Sequence, residues 1–482
     1  MLFPTIEFAV FFAVVFPITW LLNAHNTSKK VFLTAASYYF YAAWRPEFTL
    51  LLLTSSVFNY GAALVIDRCK YRRHRLPALW LAIAVNLGLL GFFKYYNFLV
   101  ASLINAAAPV GLTIDLGFIE LPLPVAISFF TFHALSYIID VYRRVLPPTK
   151  SLLDILFYIS FFPHLIAGPI VRANKFLAQT LGPRDPAHIR LGESVFLILG
   201  GLFKKVIVAN YLATGFVDGV FRDPTANSSF DLVLGMYAYA LQIYCDFSAY
   251  TDIAIGVANL LGYEFPQNFN YPYRAVSVQD FWRRWHMSLS SWLRDYLYIP
   301  LGGSRFGILA TYRNIMITMA LGGLWHGASW AFLIWGCLHG AALMVERMLG
   351  ITAGGGRTGD TDDDGAVAQR SPLVRALGWF ITLQFVCLAW VFFRAPSTDA
   401  WLGYFATMFA GGSWSTTMTP FLAVIFVLGA FSHILPQRLF DDLQRRYDAA
   451  SLPVKIAAPF VVIYLIAVAA PSGIAPFIYF QF

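Results

Sequence analysis

Charge is what this sequence has least of. Only 12% of its 482 residues are Asp, Glu, Lys or Arg, where a soluble domain carries roughly 25%, and that deficit excludes a soluble globular fold. Cysteine is nearly absent as well. Cys69, Cys245, Cys337 and Cys387 stand alone, without CxxC spacing, and three of them lie inside apolar runs. Neither a disulfide framework nor a cysteine-based zinc site is indicated. The chain has no P-loop and no Rossmann glycine pattern, and Gly327-Ala-Ser329-Trp-Ala331 lacks the last glycine of a serine-hydrolase elbow. Nor is there an internal repeat, or a matching pair of Gly/Pro-broken helices of the kind that marks inverted transporter halves.

What is present is apolar length: 58% of the residues are hydrophobic and 17% aromatic. Runs near the roughly 20 residues that cross a bilayer recur at 8–22, 48–66, 76–93, 123–139, 152–166, 195–212, 232–261, 315–345, 377–393, 421–434 and 456–470. With shorter runs at 31–43 and 95–108, the pattern predicts roughly 11 to 13 membrane-embedded helices. Inside lipid every backbone polar group needs an internal partner. The expected fold is therefore an all-α polytopic membrane protein, one body over 1–482. Its one hydrophilic break, 352–370, is expected to be a flexible loop. Asp360-x-Asp362-x-Asp364-Gly365 opens that break like a calcium loop, but Ser371 stands where calcium needs a bidentate Glu.

The net charge of +8 does not point to nucleic acid, because the basic residues cluster in short loops. Arg68, Lys70, Arg72, Arg73 and Arg75 form such a cluster, as cytoplasmic loops beside spans do. Three spans before a cytoplasmic loop put the N-terminus outside. The first apolar run follows no basic n-region, so it reads as a retained helix and not as a signal peptide.

Two stretches carry histidines in chemical settings. At 100° per residue, 281–296 (FWRRWHMSLSSWLRDY) reads as one interfacial amphipathic helix, with Phe281, Trp282, Trp285, Leu289, Trp292, Leu293 and Tyr296 on a common stripe. Arg283, Ser290 and Arg294 gather on another face, and His286 falls at the border. Membrane anchoring by Trp and Arg explains much of this segment too. The second stretch, 321–330 (LGGLWHGASW), sets Trp325 and His326 deep in the apolar run 315–345, with a break expected near Gly322-Gly323. A buried imidazole stays neutral and can accept a proton; a packing histidine that bonds across helices is the alternative. Asp246 shares a face with Gln242 and Tyr250, and Asp252 follows. Intramembrane carboxylates need a partner or water, and a structural hydrogen-bond network, with an Arg or His as candidate partner, is the first reading for them, ahead of a proton relay or a cation site. His133 and His164 sit near expected span ends without a companion at metal-ligand spacing.

With these residues in view, the chain resembles the membrane-bound O-acyltransferase family, in particular its bacterial branch of alginate O-acetyltransferases and related cellulose-acetylating subunits. The likeness runs through 128–140 (SFFTFHALSYIID), 161–172 (FFPHLIAGPIVR), 201–205, 242–256, 268–273, 281–303 and 322–340. It implies a ring of tilted helices around a funnel, with His326 as general base or acceptor-orienting group and His286 as the second histidine. Arg283, Arg294, Trp282, Trp325, Ser290 and Asp246 are candidates for donor or tunnel positioning. Acetyl-CoA is the implied donor, with no metal. The implied acceptor is an exported polysaccharide, the implied partner an extracytoplasmic SGNH-type protein, and the implied location the bacterial inner membrane. A D-alanyl transferase of the teichoic-acid type, a proton-coupled transporter and a non-catalytic scaffold stay open as other readings.

Overall fold

In the computed structural model, residues 1–478 are described except 70, 121, 352–370, 396, 414, 472 and 474. The hydrophilic segment 352–370 thus lies outside the described residues. Every extended element among them is helical, and there is no strand. Five helical segments are long and apolar enough to cross a membrane: Phe48–Arg68, Arg73–Val110, Leu191–Arg222, Trp330–Met348 and Pro372–Arg394. A sixth is made if Pro420–Ser432 and Gln437–Asp448, bent by 88°, are counted as one. Other apolar runs form shorter helices, such as Ile6–Leu21, Ile127–Tyr142 and Leu452–Val468. The chain is a multi-pass membrane protein.

Contacts group the chain into two compact units. The first comprises Met1–Ile198 with Tyr250–Pro266. There the helices Phe48–Arg68 and Arg72–Leu90 are joined by a reciprocal amide pair, Asn59 to Asn86 at 3.0 Å and the reverse at 2.9 Å. Two amides that satisfy each other can sit between apolar helices without exposing a polar atom to lipid. Arg75 departs from the loop reading of its basic cluster. It is buried in the first turn of Arg72–Leu90 and donates to the carbonyls of Ile66, Val141 and Tyr142. Those carbonyls belong to the last turns of two helices, which have no helical donors of their own.

The second unit comprises Leu199–Ala249 with Gln267–Phe482. The 32-residue helix Ser229–Leu260 contributes to both units. Within the second unit, Ile308–His326 and Trp330–Met348 form an antiparallel hairpin. Its close approach depends on glycine. A Cβ on Gly323 would stand 2.2 Å from the Phe332 carbonyl oxygen, and one on Gly336 would stand 2.3 Å from that of Met319. The break expected at Gly322-Gly323 therefore falls elsewhere. Both glycines continue the helix, Gly323 admits the facing backbone, and the chain turns after His326, at Gly327-Ala328-Ser329.

Candidate functional site

The stretch 281–296 is not one helix. Ser277 caps Val278–Arg284 by accepting from the Asp280 amide, and the buried Glu346 carboxylate accepts from the amides of Val278 and Gln279. That helix then stops at Trp285. His286 adopts φ 43°, ψ 53°, and a second helix, Met287–Leu293, begins behind it and passes into a π-helical turn at Arg294–Tyr298. Left-handed backbone is costly for a residue with a Cβ and persists only where the surroundings impose it. Here Asn268 imposes it. Its carbonyl accepts from the Met287 amide at 2.9 Å, and its Oδ1 accepts from the Ser288 amide at 3.0 Å and the Ser288 hydroxyl at 2.8 Å.

The same oxygen fixes the His286 tautomer. A backbone amide can only donate, so the Asn268 atom facing Ser288 is the oxygen. His286 Nδ1 lies 3.2 Å from that oxygen and must therefore carry the proton. Nε2 is left with its lone pair, buried and without a hydrogen-bond partner among the described residues. The side chain is 0% exposed, and burial pushes its pKa down to about 3. His286 is thus a neutral imidazole with a proton-accepting nitrogen turned away from its anchor.

His326 is the last residue of its helix and is also buried. Its ring packs 5.1 Å from Trp325, 5.2 Å from Trp335 and 5.2 Å from Phe393. Trp325 serves both histidines, since its ring also lies 5.9 Å from that of His286. The turn after His326 requires glycine, because a Cβ on Gly327 would lie 2.0 Å from the Phe332 ring. The structure thus brings together His286, Trp325 and His326, two imidazoles that each pack against one indole.

The other candidates fall into different places. Arg283 and Arg294 are exposed, and Arg294 pairs with Asp295 at 2.9 Å. Ser290 donates to the Trp285 carbonyl at 3.3 Å and so secures the helix break. Trp282 donates its indole N–H to His339 Nδ1 at 3.2 Å. Asp246 is neither free nor paired with Arg or His: it forms a buried ion pair with Lys205 at 2.7 Å. Sequence reasoning passed over Asn268 as a site residue, and over Lys205, which sits in a π-helical stretch, Phe203–Ala209, inside an apolar run. It also missed that His133 and His164, in the first unit, pack with ring centroids 4.4 Å apart.

Comparison with known proteins places the chain in a family. Residues 118–351 match the model of the membrane-bound O-acyltransferase family. A Pseudomonas aeruginosa protein named "Probable alginate O-acetylase AlgI" is 43% identical over 391 residues, 80% of this chain and 71% of its own length. One of the same name from Azotobacter vinelandii is 41% identical over 390 residues, 80% of this chain and 74% of its own. A peptidoglycan O-acetyltransferase of Helicobacter pylori is 38% identical over 402 residues, 77% of this chain and 72% of its own.

Proposed function

Because the chain belongs to the membrane-bound O-acyltransferase family, we propose that it takes acetyl groups from acetyl-CoA for O-acetylation of an exported polysaccharide. Alginate is the acceptor suggested by the names of its relatives, with a cellulose-like glycan or peptidoglycan as other acceptors of the same hydroxyl chemistry. The inner membrane is the proposed setting. An extracytoplasmic SGNH-type partner completes transfer to the glycan.

The observation that carries this reading is the bare, buried Nε2 of His286 beside the Trp325–His326 pair. Acyl transfer to oxygen needs a base that takes the hydroxyl proton as the oxygen attacks the thioester carbonyl. The C–S bond breaks, and the proton moves on to the departing thiolate. His326 takes the acceptor proton or orients the acceptor hydroxyl. His286, with Nδ1–H committed to Asn268, acts as a hydrogen-bond acceptor toward the donor or acceptor, not as a polariser of the carbonyl. Exposed arginines suit phosphates: Arg283 and Arg294 are assigned to the diphosphate end of CoA or to lipid headgroups, and the buried thioester is left to Trp325 and the two histidines.

The test is turnover of radiolabelled acetyl-CoA by purified protein in detergent, wild type beside His326→Ala, with CoA release and label transfer measured with and without acceptor glycan and partner. Release by wild type and its loss in a folded variant support the reading. A wild type that is folded yet inert with acetyl-CoA, but active with a D-alanyl carrier protein, would replace the donor. Unchanged release by His326→Ala would remove His326 from the chemistry.

A further inference from the structure

Residues 475–478 lie against the second unit in a way that their sequence does not announce. Lys205 Nζ donates to the Ala475 carbonyl at 2.8 Å, and the Ala475 amide donates to Asn210 Oδ1 at 3.1 Å. The Ile478 amide donates to Asp246 Oδ2 at 2.8 Å. Each member of the buried Lys205–Asp246 pair thus holds a backbone group of this segment. An ion pair in low dielectric leaves lone pairs and N–H groups that still need partners, and the segment supplies two. Phe477, between the anchors, and Ile478, at the second, are driven inside, at 0% and 1% exposure.

The buried ring has a specific neighbour. Phe477 packs 5.9 Å from Phe247, and Phe247 meets His286 edge to face at 4.7 Å, an interplanar angle of 89°. Asn268 fixes the Nδ1 side of the imidazole, and Phe247 fixes its tilt from another direction. An apolar ring such as Phe247 is held in place by packing, and Phe477 contributes to that packing. A shift of about 1 Å in a catalytic group can cost on the order of 100-fold in rate.

We propose that residues 475–478 are a strap, tied to the Lys205–Asp246 pair, through which Phe477 acts as a positioning residue for His286 by seating Phe247. The inference rests on the reading of His286 given above, so its test separates the two. A double-mutant cycle pairs Phe477→Ala with His286→Gln, using acetyl-CoA turnover, with size-exclusion profile and thermal midpoint as checks of folding. Phe477→Ala is expected to lower kcat on the order of tenfold with the KM for acetyl-CoA unchanged, and Phe477→Leu, which refills the space, is expected to restore most of it. In the His286→Gln background the same Phe477→Ala change is expected to have no further effect.

Should Phe477→Ala fail to fold, the cycle is run with Phe477→Val, for which the same pattern at smaller amplitude is expected. Normal kcat in the folded Phe477 variant would overturn the strap, as would losses that multiply fully in the double variant. A His286→Gln protein with wild-type turnover would overturn the reading of His286 itself. An accompanying loss in Phe477→Ala would then have to act elsewhere, and the strap would fall with it.

Discussion

Two pairs of buried histidines occupy the two units, and they are built differently. In the first unit, His133 sits inside the regular helix Ile127–Tyr142 and packs directly on His164, whose Nε2 is 2.8 Å from the Tyr158 carbonyl. Phe161, Phe176 and Phe265 close around His164, and a Cβ on Gly168 would come within 2.5 Å of the His164 Cα. In the second unit, both histidines stand where a helix breaks: His286 at φ 43° and His326 as the last helical residue before Gly327. Each packs against the Trp325 indole. Both pairs include imidazole nitrogens without a partner among the described residues, so burial and an unmet nitrogen do not by themselves distinguish a site from a packed core. The backbone does. A left-handed residue is held against its own preference only where neighbouring bonds compel it, and Asn268 spends its amide oxygen and its carbonyl on that one turn. His133, in regular helical backbone, needs no such constraint.

The most severe test of this contrast sets His326→Ala beside His133→Gln. General acid–base catalysis contributes about 10²- to 10⁴-fold, so the first should lose turnover on that scale. The second should keep turnover per folded molecule within about twofold while lowering the thermal midpoint, as a substitution in a tight core does. Equal losses in the two variants would make the first pair part of the chemistry.

A smaller effect is expected from glycine. Gly323→Ala would press a methyl to 2.2 Å from the Phe332 carbonyl oxygen and 3.0 Å from the Gly336 Cα, both backbone atoms that cannot rotate away. Overpacking of this kind costs about 1 to 3 kcal/mol, and because His326 lies three residues further along that helix, turnover should fall too. Gly88, in a first-unit helix, would carry a Cβ with nothing within 4 Å of it. Gly88→Ala should raise stability by roughly 0.5 to 1 kcal/mol through helix propensity. Thermal unfolding of both variants in one detergent decides it; a neutral Gly323→Ala would mean that the hairpin helices can part without cost.

Apolar run length made the helical membrane fold legible, and the motif series made His286 and His326 legible with it. What the sequence hid has physical reasons. Hydrophobic periodicity reports which face of a helix is apolar, but it is blind to a single residue at positive φ, so 281–296 read as continuous. A break is expected near Gly322-Gly323 because the apolar run 315–345 is longer than one span needs. The small residues there are legible as a face for helix approach, but which glycine meets which backbone, Gly323 against Phe332 and Gly336, needs the partner helix in place. Lys205 is passed over because its partner Asp246 lies 41 residues away in sequence and only the fold sets the two 2.7 Å apart. His133 and His164 are 31 residues apart in sequence, a separation with no local signature. Asn268 works through the geometry of one oxygen with three donors, which no spacing rule encodes.

The finest distinction concerns Trp282, which the family resemblance placed among the donor- or tunnel-positioning candidates and the structure ties to a further buried histidine, His339. Its indole N–H meets His339 Nδ1, and Trp335 packs against both His339 and His326. Trp282→Phe keeps an aromatic ring and deletes the donor, leaving the buried Nδ1 of His339 unmet as its Nε2 already is among the described residues. That should cost about 1 kcal/mol of stability and shift the thermal midpoint slightly, with kcat reduced less than about threefold because Trp335 stands between the deleted bond and His326. The KM for acetyl-CoA should not move. A several-fold rise in KM at unchanged stability would instead put Trp282 in contact with the donor, and would extend the site in the second unit beyond the two histidines and Trp325.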